Sequence, residues 1–216
     1  MKIYFVTTSA FKAKELESFL ASARVPESLE IPIITSPLTE PLVSDISEIV
    51  TEKALAAYAL LGLPCVVEHS GLLMDALPGL PGGLGQVIWR SIGDRMCGFL
   101  RADDSRAATA RSVLGYCDGW RVHIYMGETR GSIADRARGE YQCNWDPIFI
   151  PDGSDRTYGE MGLALKSTTS PSGKAWTAFS CMPSWTGGTH CPQMAQAASS
   201  SSNRRCASTT RGRSQP

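Results

Sequence analysis

The sequence lacks three features that would each indicate a particular class of protein. No apolar run approaches 18 residues, so we expect no membrane-spanning helix. The N-terminal stretch MKIYFVTT contains too short an apolar segment for a secretory signal peptide. The seven cysteines are odd in number and include no CxxC pair, which favours neither a zinc knuckle nor a disulfide framework. We therefore expect a cytoplasmic protein with reduced thiols and no membrane partner.

The sequence also lacks an excess of charge of either sign. Lys and Arg together number 21, as do Asp and Glu, and the last acidic residue is Glu160. Residues 183–216 contain four arginines and no acidic residue, so the body of the chain is slightly acidic. This balance excludes a body that binds nucleic acid through a basic surface, and leaves the tail as at most a weak basic arm.

The composition changes close to residue 180. Beyond that point the sequence has no apolar periodicity, a run of four serines and many Gly, Pro and Thr residues. We predict an α/β domain over residues 1–180 and a disordered Ser/Arg-rich tail over 181–216 that the fold does not need. A shifted reading frame after about residue 180 is an alternative explanation of the tail.

Regular secondary structure is predicted along most of the domain. The β-branched and aromatic segment KIYFVTT predicts a strand that leads into a helix, for which Ser9 is a candidate N-cap. A second helix is predicted at about 46–61 after Asp45 or Ser47, followed by a short buried strand at 65–67. Residues 78–85, PGLPGGLG, are expected to be irregular. Two antiparallel strands are expected on either side of a turn at Asp118-Gly119.

Four polar clusters could carry chemistry. The turn from Thr7 to Lys12 combines hydroxyls, a lysine and a helix N-terminus, which suits phosphate, although a solvated turn is the alternative. Glu48, with Glu52 one turn later, could bind a metal or belong to a solvated helix face. The other two clusters are the run Glu68-His69-Ser70, expected at the exit of a buried strand, and the segment NWDPIF with Lys166 downstream. Each of the two could instead be structural. The run could form a partly buried network whose hydrogen bonds are satisfied, and the segment could form a simple turn.

The order and spacing of these clusters resemble those of the Ham1-like inosine triphosphate pyrophosphatase family. The resemblance extends from residue 3 to about 179 and rests on four segments: FVTTSAFKAKELESFL, EIVTEKA, VVEHSGLLMDALPGLPG and NWDPIFIPDGSDRTYGEMGLALKS. It implies an elongated α/β fold, with a long twisted mixed sheet flanked by helices and two lobes around a central cleft. It also implies a homodimer that cleaves ITP, dITP and XTP to the monophosphate and pyrophosphate with Mg²⁺.

The resemblance assigns a role to each cluster. It implies catalytic roles for Lys12, Glu68 and His69, and metal binding by Glu48, Glu68 and His69. The base-contacting loop begins at Cys143. The residues that the resemblance implies in nucleotide binding are Thr7, Thr8, Ser9, Lys12, Ser70, Asn144, Trp145, Asp146, Lys166 and Ser172. These residue types suit water attack on a phosphorus atom, since carboxylates hold the metal and lysines neutralise the phosphate oxygens.

Four departures from the family pattern modify this expectation. His69 replaces a family aspartate that binds metal and accepts a proton, so we expect weaker use of Mg²⁺ and better use of Mn²⁺. His69 could still act as a general base, since an unperturbed imidazole has a pKa of about 6.5. The phosphate loop reads Thr7-Thr8-Ser9 instead of Thr-Gly-Asn, and Ser170-Pro171-Ser172 replaces a Ser-His-Arg that reads the purine. Lys174 is expected to be a solvated helix charge, and the family's terminal helix is expected to be lost.

These departures leave a second function open. The alternative to an enzyme is a catalytically impaired nucleotide-binding protein, or a dimerising scaffold, of the same fold.

Overall fold

The structure is a computed structural model that describes residues 1–21, 29–140 and 144–182. The predicted tail from residue 183 onwards lies outside the described residues. Five helices lie along the described chain: α1 (Ala10–Ala21), α2 (Ile46–Leu61), α3 (Gly85–Ile92), α4 (Tyr158–Lys166) and α5 (Pro171–Ser180). The strands are β1 (Tyr4–Val6), β2 (Ile33–Ile34), β3 (Cys65–Met74), β4 (Pro81–Gly82), β5 (Ala107–Cys117), β6 (Val122–Ile133) and β7 (Phe149–Pro151). Two 3₁₀ segments, Gly93–Phe99 and Asp146–Ile148, complete the elements of these residues.

The strands form one mixed sheet in the order β2-β1-β3-β5-β6-β7, with β4 attached to β3. Strand β1 runs parallel to both of its neighbours, whereas the pairs from β3 to β7 are antiparallel. The prediction of an α/β protein built on a mixed sheet flanked by helices is therefore confirmed. The long hairpin of β5 and β6 turns at Asp118, as the sequence predicted. The Asp118 carboxylate accepts from the backbone N–H groups of Trp120 and Arg121.

Both faces of the sheet are covered, because successive side chains of a strand point to opposite faces. On one face, Val66 of β3 and Leu114 of β5 pack with Phe5 and with Trp176 and Phe179 of α5. On the other face, Val67 and Val113 pack with the apolar side of α2. Helix α2 begins and ends where the sequence predicted, and Asp45 caps it by accepting from the N–H groups of Ser47 and Glu48.

Strand β3 is much longer than the predicted segment 65–67. It continues through Glu68, His69 and Ser70 to Met74 and pairs with β5 along its whole length, from Cys65 opposite Cys117 to Met74 opposite Ala108. The polar residues therefore lie inside a strand and not at its exit, so that expectation is wrong. A strand can continue through polar residues when its backbone groups are paired and each polar side chain has a hydrogen-bond partner.

The segment 78–85 is also more regular than expected. Pro81 and Gly82 form the short strand β4, antiparallel to Leu72 and Leu73 of β3. Proline is tolerated there because β4 lies at the edge of the sheet and the missing N–H is not needed by a second neighbour.

Helix α5 contradicts the expectation that the terminal helix is lost. Pro171 occupies its first turn, where a missing N–H costs nothing, and the Ser170 side chain accepts from the Gly173 N–H. Lys174 is not simply solvated, since its Nζ donates to the Glu128 carbonyl at 2.7 Å and to Thr129 Oγ1 at 2.9 Å. The helix is thereby tied to β6.

Among the described residues, Cys65, Cys97 and Cys117 carry buried thiols. No helix in the described part of the chain is long and apolar enough to cross a membrane.

Gly127 allows the close approach of α5 to β6 and provides a test of this packing. A Cβ at this position would lie 2.1 Å from the Pro171 carbonyl oxygen and 2.5 Å from the Ala175 nitrogen, both backbone atoms. We expect Gly127→Ala to lower the free energy of unfolding by about 3 kcal/mol in urea denaturation. Gly98→Ala is the control, because nothing lies within 4 Å of the added methyl group. Equal stability of the two variants would contradict this account of how α5 is seated.

Candidate active site

The centre of the candidate site is the middle of β3, where Glu68 and His69 point to opposite faces of the sheet. Both side chains are buried, with 2% and 5% of their surface exposed. Glu68 faces the side covered by α1 and α5, whereas His69 faces the side covered by α2. The two residues therefore belong to different polar clusters, although they are adjacent in the sequence.

Hydroxyl groups hold the Glu68 carboxylate. Ser112, on the neighbouring strand β5, donates to Glu68 Oε1 at 2.6 Å, and Ser70 lies 3.3 Å from the same oxygen. Ser70 also lies 3.1 Å from the Ser112 hydroxyl. Glu68 Oε2 is buried and has no hydrogen-bond partner among the described residues. The carboxylate is thus held in place through Oε1, and Oε2 can still accept a hydrogen bond.

Two lysines converge on the backbone of Glu68. Lys12, from the first turn of α1, donates to the Glu68 carbonyl at 3.0 Å, and Lys53, from α2, donates to the same oxygen at 3.1 Å. Burial, and then the positive charge of Lys12, lower the pKa of Lys53. Two ammonium groups that share one oxygen form a concentrated positive region, which suits a polyanion such as a chain of phosphates.

The sequence analysis did not identify Lys53. The signal was present, because Lys53 continues the spacing of Ile46, Ile49 and Val50 on the buried side of α2. A lysine on the apolar face of a helix needs a partner, and this one finds Glu40 at 2.6 Å.

His69 lies among the groups of the second cluster. Its Nε2 is 3.0 Å from the Gly83 carbonyl oxygen, and its Nδ1 is 3.7 Å from Glu40 Oε2. Burial, together with the charges of Lys12 and Lys53, lowers the pKa of His69 to about 4. The ring is therefore neutral at pH 7. The premise of an unperturbed pKa of about 6.5 is wrong, since it describes an exposed imidazole.

Glu48 is exposed in the first turn of α2, and no hydrogen bond or ion pair joins its carboxylate to another described residue. Metal binding by Glu48 stays a prediction. Glu40, which the sequence analysis missed, is the carboxylate beside His69. Within the described ranges no three His, Cys, Asp or Glu side chains are grouped closely enough to hold a metal ion by themselves. Glu40 and His69 are the pair that could contribute ligands to a cation.

The turn before α1 has the form of a capped helix N-terminus. The Ser9 N–H donates to Thr7 Oγ1 at 3.1 Å, and the Lys12 N–H donates to Ser9 Oγ at 3.3 Å, so Ser9 is the N-cap that the sequence predicted. Thr8 is exposed. The hydroxyls of Thr7 and Ser9 thus shape the turn that carries Lys12, and contact of these three residues with a nucleotide stays a prediction.

A third cluster surrounds Lys166. Its Nζ donates to both carboxylate oxygens of Asp146, at 3.0 and 2.8 Å, and lies 3.6 Å from Glu15 Oε1. The ammonium also lies 4.3 Å from the centroid of the Phe11 ring, within the range of a cation–π interaction. Lys166 and Asp146 are buried, with 4% and 0% exposure, so the pair is fixed in place.

Glu15 is a further residue that the sequence analysis missed. Ser170 lies within hydrogen-bond distance of its carboxylate, at 3.2 Å. Burial raises the pKa of Glu15 to about 7, against the opposing effect of Lys166. A glutamate at helical spacing on α1 gives no sign of this burial in the sequence, because the partners come from residues 146–170.

The remaining predicted contacts differ in accessibility. Asn144 is half-buried, and Trp145 is buried against the rings of Phe149 and Tyr158. Ser172 is buried in α5, and its hydroxyl has no partner among the described residues. Cys143 lies outside the described residues. The structure thus brings Asp146 together with Lys166, and Lys12 together with Glu68.

These features define an α/β protein with paired lysines at one polar cluster and a buried acid–lysine pair at another. The Ham1 family model matches residues 3–181, and the chain belongs to the Ham1 family. A dITP/XTP pyrophosphatase of Methanopyrus kandleri is 35% identical over 181 residues, which are 83% of this chain and 94% of that protein. An inosine triphosphate pyrophosphatase of Puccinia graminis f. sp. tritici is 34% identical, over 81% of this chain and 93% of that protein.

Solved structures show the same architecture. A HAM1 protein from Coxiella burnetii has a TM-score of 0.66 and 27% identity, over 82% of this chain and 96% of that chain. A nucleoside-triphosphatase / dITP/XTP pyrophosphatase from Mycobacterium abscessus has a TM-score of 0.64 and 26% identity, over 84% and 100% of the two chains.

The raised pKa of Glu15 predicts a pH-dependent contribution to stability. Below the unfolded pKa of about 4.5 the carboxyl is protonated in both states, so its burial costs no ionisation energy. As the pH rises through about 7, ionisation disfavours the folded state by an amount on the order of 3 kcal/mol. Glu15→Gln removes this titration. We therefore expect the variant to gain stability relative to wild type between pH 4 and pH 8, measured by urea unfolding. The exposed Glu17→Gln is the control, and a difference for Glu15→Gln that does not change with pH would contradict this interpretation.

Proposed function

We propose that this protein is a nucleoside triphosphate pyrophosphohydrolase that converts ITP, dITP or XTP and water to the nucleoside monophosphate and pyrophosphate. The observation that carries the proposal is the convergence of Lys12 and Lys53 on the Glu68 carbonyl, in a member of the Ham1 family. The names of the relatives, dITP/XTP pyrophosphatase and inosine triphosphate pyrophosphatase, support the choice of substrate.

The two lysines provide the electrostatic part of the reaction. Water attacks a phosphorus of the triphosphate chain, the P–O bond to the pyrophosphate breaks, and negative charge grows on the leaving group. Lys12 and Lys53 neutralise the oxygens on which this charge develops. Since both ammonium groups are held by backbone and carboxylate oxygens, they need little reorganisation when a phosphate replaces part of those contacts.

Base recognition is assigned to the Lys166 cluster. A pocket that accepts inosine or xanthine must offer a donor to the carbonyl oxygen at position 6 of the purine. Lys166 is a donor fixed by Asp146, and Trp145 lies beside them in sequence with Asn144. Ser172 provides a shorter and weaker donor than the arginine that the family pattern has there. Discrimination against adenine is therefore expected to be low for this family.

Mg²⁺ or Mn²⁺ is the proposed cofactor. Glu40 Oε2 and His69 Nδ1 lie 3.7 Å apart, but Lys53 already pairs with Glu40 at 2.6 Å, so these two side chains alone do not form a cation site. A cation that arrives with the triphosphate needs only one or two protein ligands, because phosphate oxygens and water supply the others. When bound, the cation supplies charge neutralisation to the phosphates. An imidazole nitrogen is a poor ligand for Mg²⁺ and a better one for Mn²⁺, so the donor set favours Mn²⁺.

The proposal extends to a cytoplasmic homodimer, as the family resemblance implies. The buried thiols of Cys65, Cys97 and Cys117 are consistent with a reducing compartment. The scaffold alternative is not favoured, since a scaffold has no need of two lysines at one carbonyl oxygen.

Substrate preference is tested with a panel of ITP, XTP, dITP, ATP and GTP, scored by pyrophosphate release. We expect turnover of the deaminated nucleotides, with kcat/KM for ITP exceeding that for ATP by less than about 100-fold. Lys53→Met should abolish most of this turnover, whereas the exposed Lys14→Met should not. A preference above a thousandfold would show that other residues read the base, and equal activity of the two lysine variants would remove the basis of the proposed phosphate site.

Metal preference is a separate prediction. Because His69 stands where the family pattern has aspartate, we expect a higher kcat with Mn²⁺ than with Mg²⁺ at saturating nucleotide, by about tenfold or more. The measurement is pyrophosphate release against concentration of each cation. If kcat with Mn²⁺ is no higher than kcat with Mg²⁺, the imidazole does not contribute to cation binding.

A further inference from the structure

The Lys166 ammonium has two kinds of neighbour, those that are fully enclosed and those that border on solvent. Its Nζ donates to both carboxylate oxygens of Asp146 and lies 5.3 Å from the centroid of the Tyr158 ring. Asp146 and Tyr158 are 0% and 1% exposed, so these contacts face the interior. Glu15 and Phe11 are the neighbours described here that are partly exposed. A ligand from solvent therefore approaches the ammonium past one of these two side chains.

The side of Glu15 is unsuited to the carbonyl oxygen of a purine. The Glu15 carboxylate lies 3.6 Å from Nζ, and Ser170 lies within hydrogen-bond distance of it at 3.2 Å. A carbonyl oxygen that approached here would have to share the ammonium with another oxygen acceptor that is already in place. The better approach for such a ligand is the one on the side of Phe11.

The Phe11 ring covers that approach. Its centroid lies 4.3 Å from Lys166 Nζ, and the ammonium lies over the ring face. The face of an aromatic ring attracts a cation, so the contact favours the position in which the ring covers Nζ. One side of the ring thus faces the ammonium, and part of its surface borders on solvent.

The backbone that carries Phe11 is also held in place. Phe11 and Lys12 are consecutive residues in the first turn of α1, whose N-cap is Ser9. The Lys12 ammonium donates to the Glu68 carbonyl at 3.0 Å. One helical turn therefore places a lysine at the proposed phosphate site and an aromatic ring over the lysine of the proposed base site.

We propose that Phe11 is a specificity-determining residue, whose ring covers the Lys166 ammonium and restricts its access to the purine. The inference rests on the proposed function in one respect, namely that the base is bound at the Lys166 cluster. An ammonium group only donates hydrogen bonds. Uncovered, it would favour the carbonyl oxygen at position 6 of hypoxanthine or xanthine over the amino group of adenine. Covered, it discriminates between them weakly.

Two substitutions of Phe11 test the ring itself. Phe11→Ala removes the cover and leaves a good helix former in α1, so the helix is expected to fold. Phe11→Tyr is the conservative variant, because it keeps an aromatic ring over the ammonium. Lys14→Ala is the matched control on the same helix, since Lys14 is exposed and one turn away from neither polar cluster's contacts.

The cover is measured without a ligand, as the rate at which the Lys166 Nζ hydrogens exchange with water in ¹⁵N NMR of the full chain. We expect exchange to be faster by about fivefold or more in Phe11→Ala, because the ring no longer excludes water. Phe11→Tyr and Lys14→Ala should match wild type. The Nζ hydrogens of Lys174, which donate to Glu128 and Thr129, are the internal reference.

Discrimination is measured as the ratio of the Kd for ATP to the Kd for ITP, by calorimetry in EDTA so that divalent cations are removed. We expect Phe11→Ala to raise this ratio by about tenfold or more, since a hydrogen bond to a charged donor typically contributes at least that factor. Phe11→Tyr should restore the wild-type ratio, and Lys14→Ala should not change it.

Three results would overturn the proposal. The first is an unchanged exchange rate of the Lys166 hydrogens in Phe11→Ala. The second is faster exchange with an unchanged ratio of Kd values, which would show that an uncovered Lys166 does not read the base. The third is an equal loss of affinity for both nucleotides, which would make the ring a stacking surface.

The proposed function fails on a different result. Neither measurement uses turnover, so a protein that behaves as expected here but releases no pyrophosphate from any nucleotide would refute the proposed function alone. A wild-type protein that binds neither ITP nor ATP would refute both.

Discussion

The full-length pairing of β3 with β5 is the constraint on which the rest of the site depends. Because β3 is covered on both faces, its alternation sends Glu68 towards α1 and α5 and His69 towards α2. The Glu68 carbonyl lies between the two side chains, and it is the group on which the lysines of two different helices meet. One strand thus provides a carboxylate, an imidazole and a common anchor for two ammonium groups.

Around this strand Lys12 and Lys53 approach the same carbonyl oxygen, but the buried lysines also have carboxylate partners. Lys53 is paired with Glu40, and Lys166 is paired with Asp146. Each lysine is buried, and an unpaired buried charge would cost several kcal/mol. A polyanionic substrate can replace some of these carboxylate contacts, whereas the carboxylates keep the lysines in position while it is absent.

The sequence predicted the parts of the fold that depend on local signals. Helix α2 has an apolar stripe and an Asp45 cap, and the turn at Asp118 has its own side-chain acceptor, so both could be located from nearby residues. The extent of β3 could not, because it follows from pairing with β5, whose residues lie between 34 (Met74 to Ala108) and 52 (Cys65 to Cys117) positions further along the chain. Helix α5 was missed since its stability comes from Trp176 and Phe179 packing against Phe5 and Tyr116 rather than from a continuous apolar pattern.

The same distinction applies to the site. The sequence pointed to Lys12, Asp146 and Lys166 because they stand in segments with a characteristic order, and the structure places Lys12 at the Glu68 carbonyl and Asp146 against Lys166. Glu40, Lys53 and Glu15 acquire their significance from partners distant in sequence, and the pKa of His69 depends on burial that no short segment reveals. Residue type indicates what a side chain is able to do, and only the packing determines in which charge state it does so.

The enclosure of Lys166 has a consequence for how the protein responds to its solution. The ammonium lies beneath the ring of Phe11 and against a carboxylate that is fully buried, so mobile ions cannot come between them. The ion pairs of Arg111 with Glu128 and of Arg130 with Asp75 lie at the surface and are open to screening. Dissolved salt therefore acts on the periphery of the long hairpin and leaves the interior pair alone. The buried pair of Lys166 and Asp146 is therefore expected to keep its strength when the salt concentration of the solution changes.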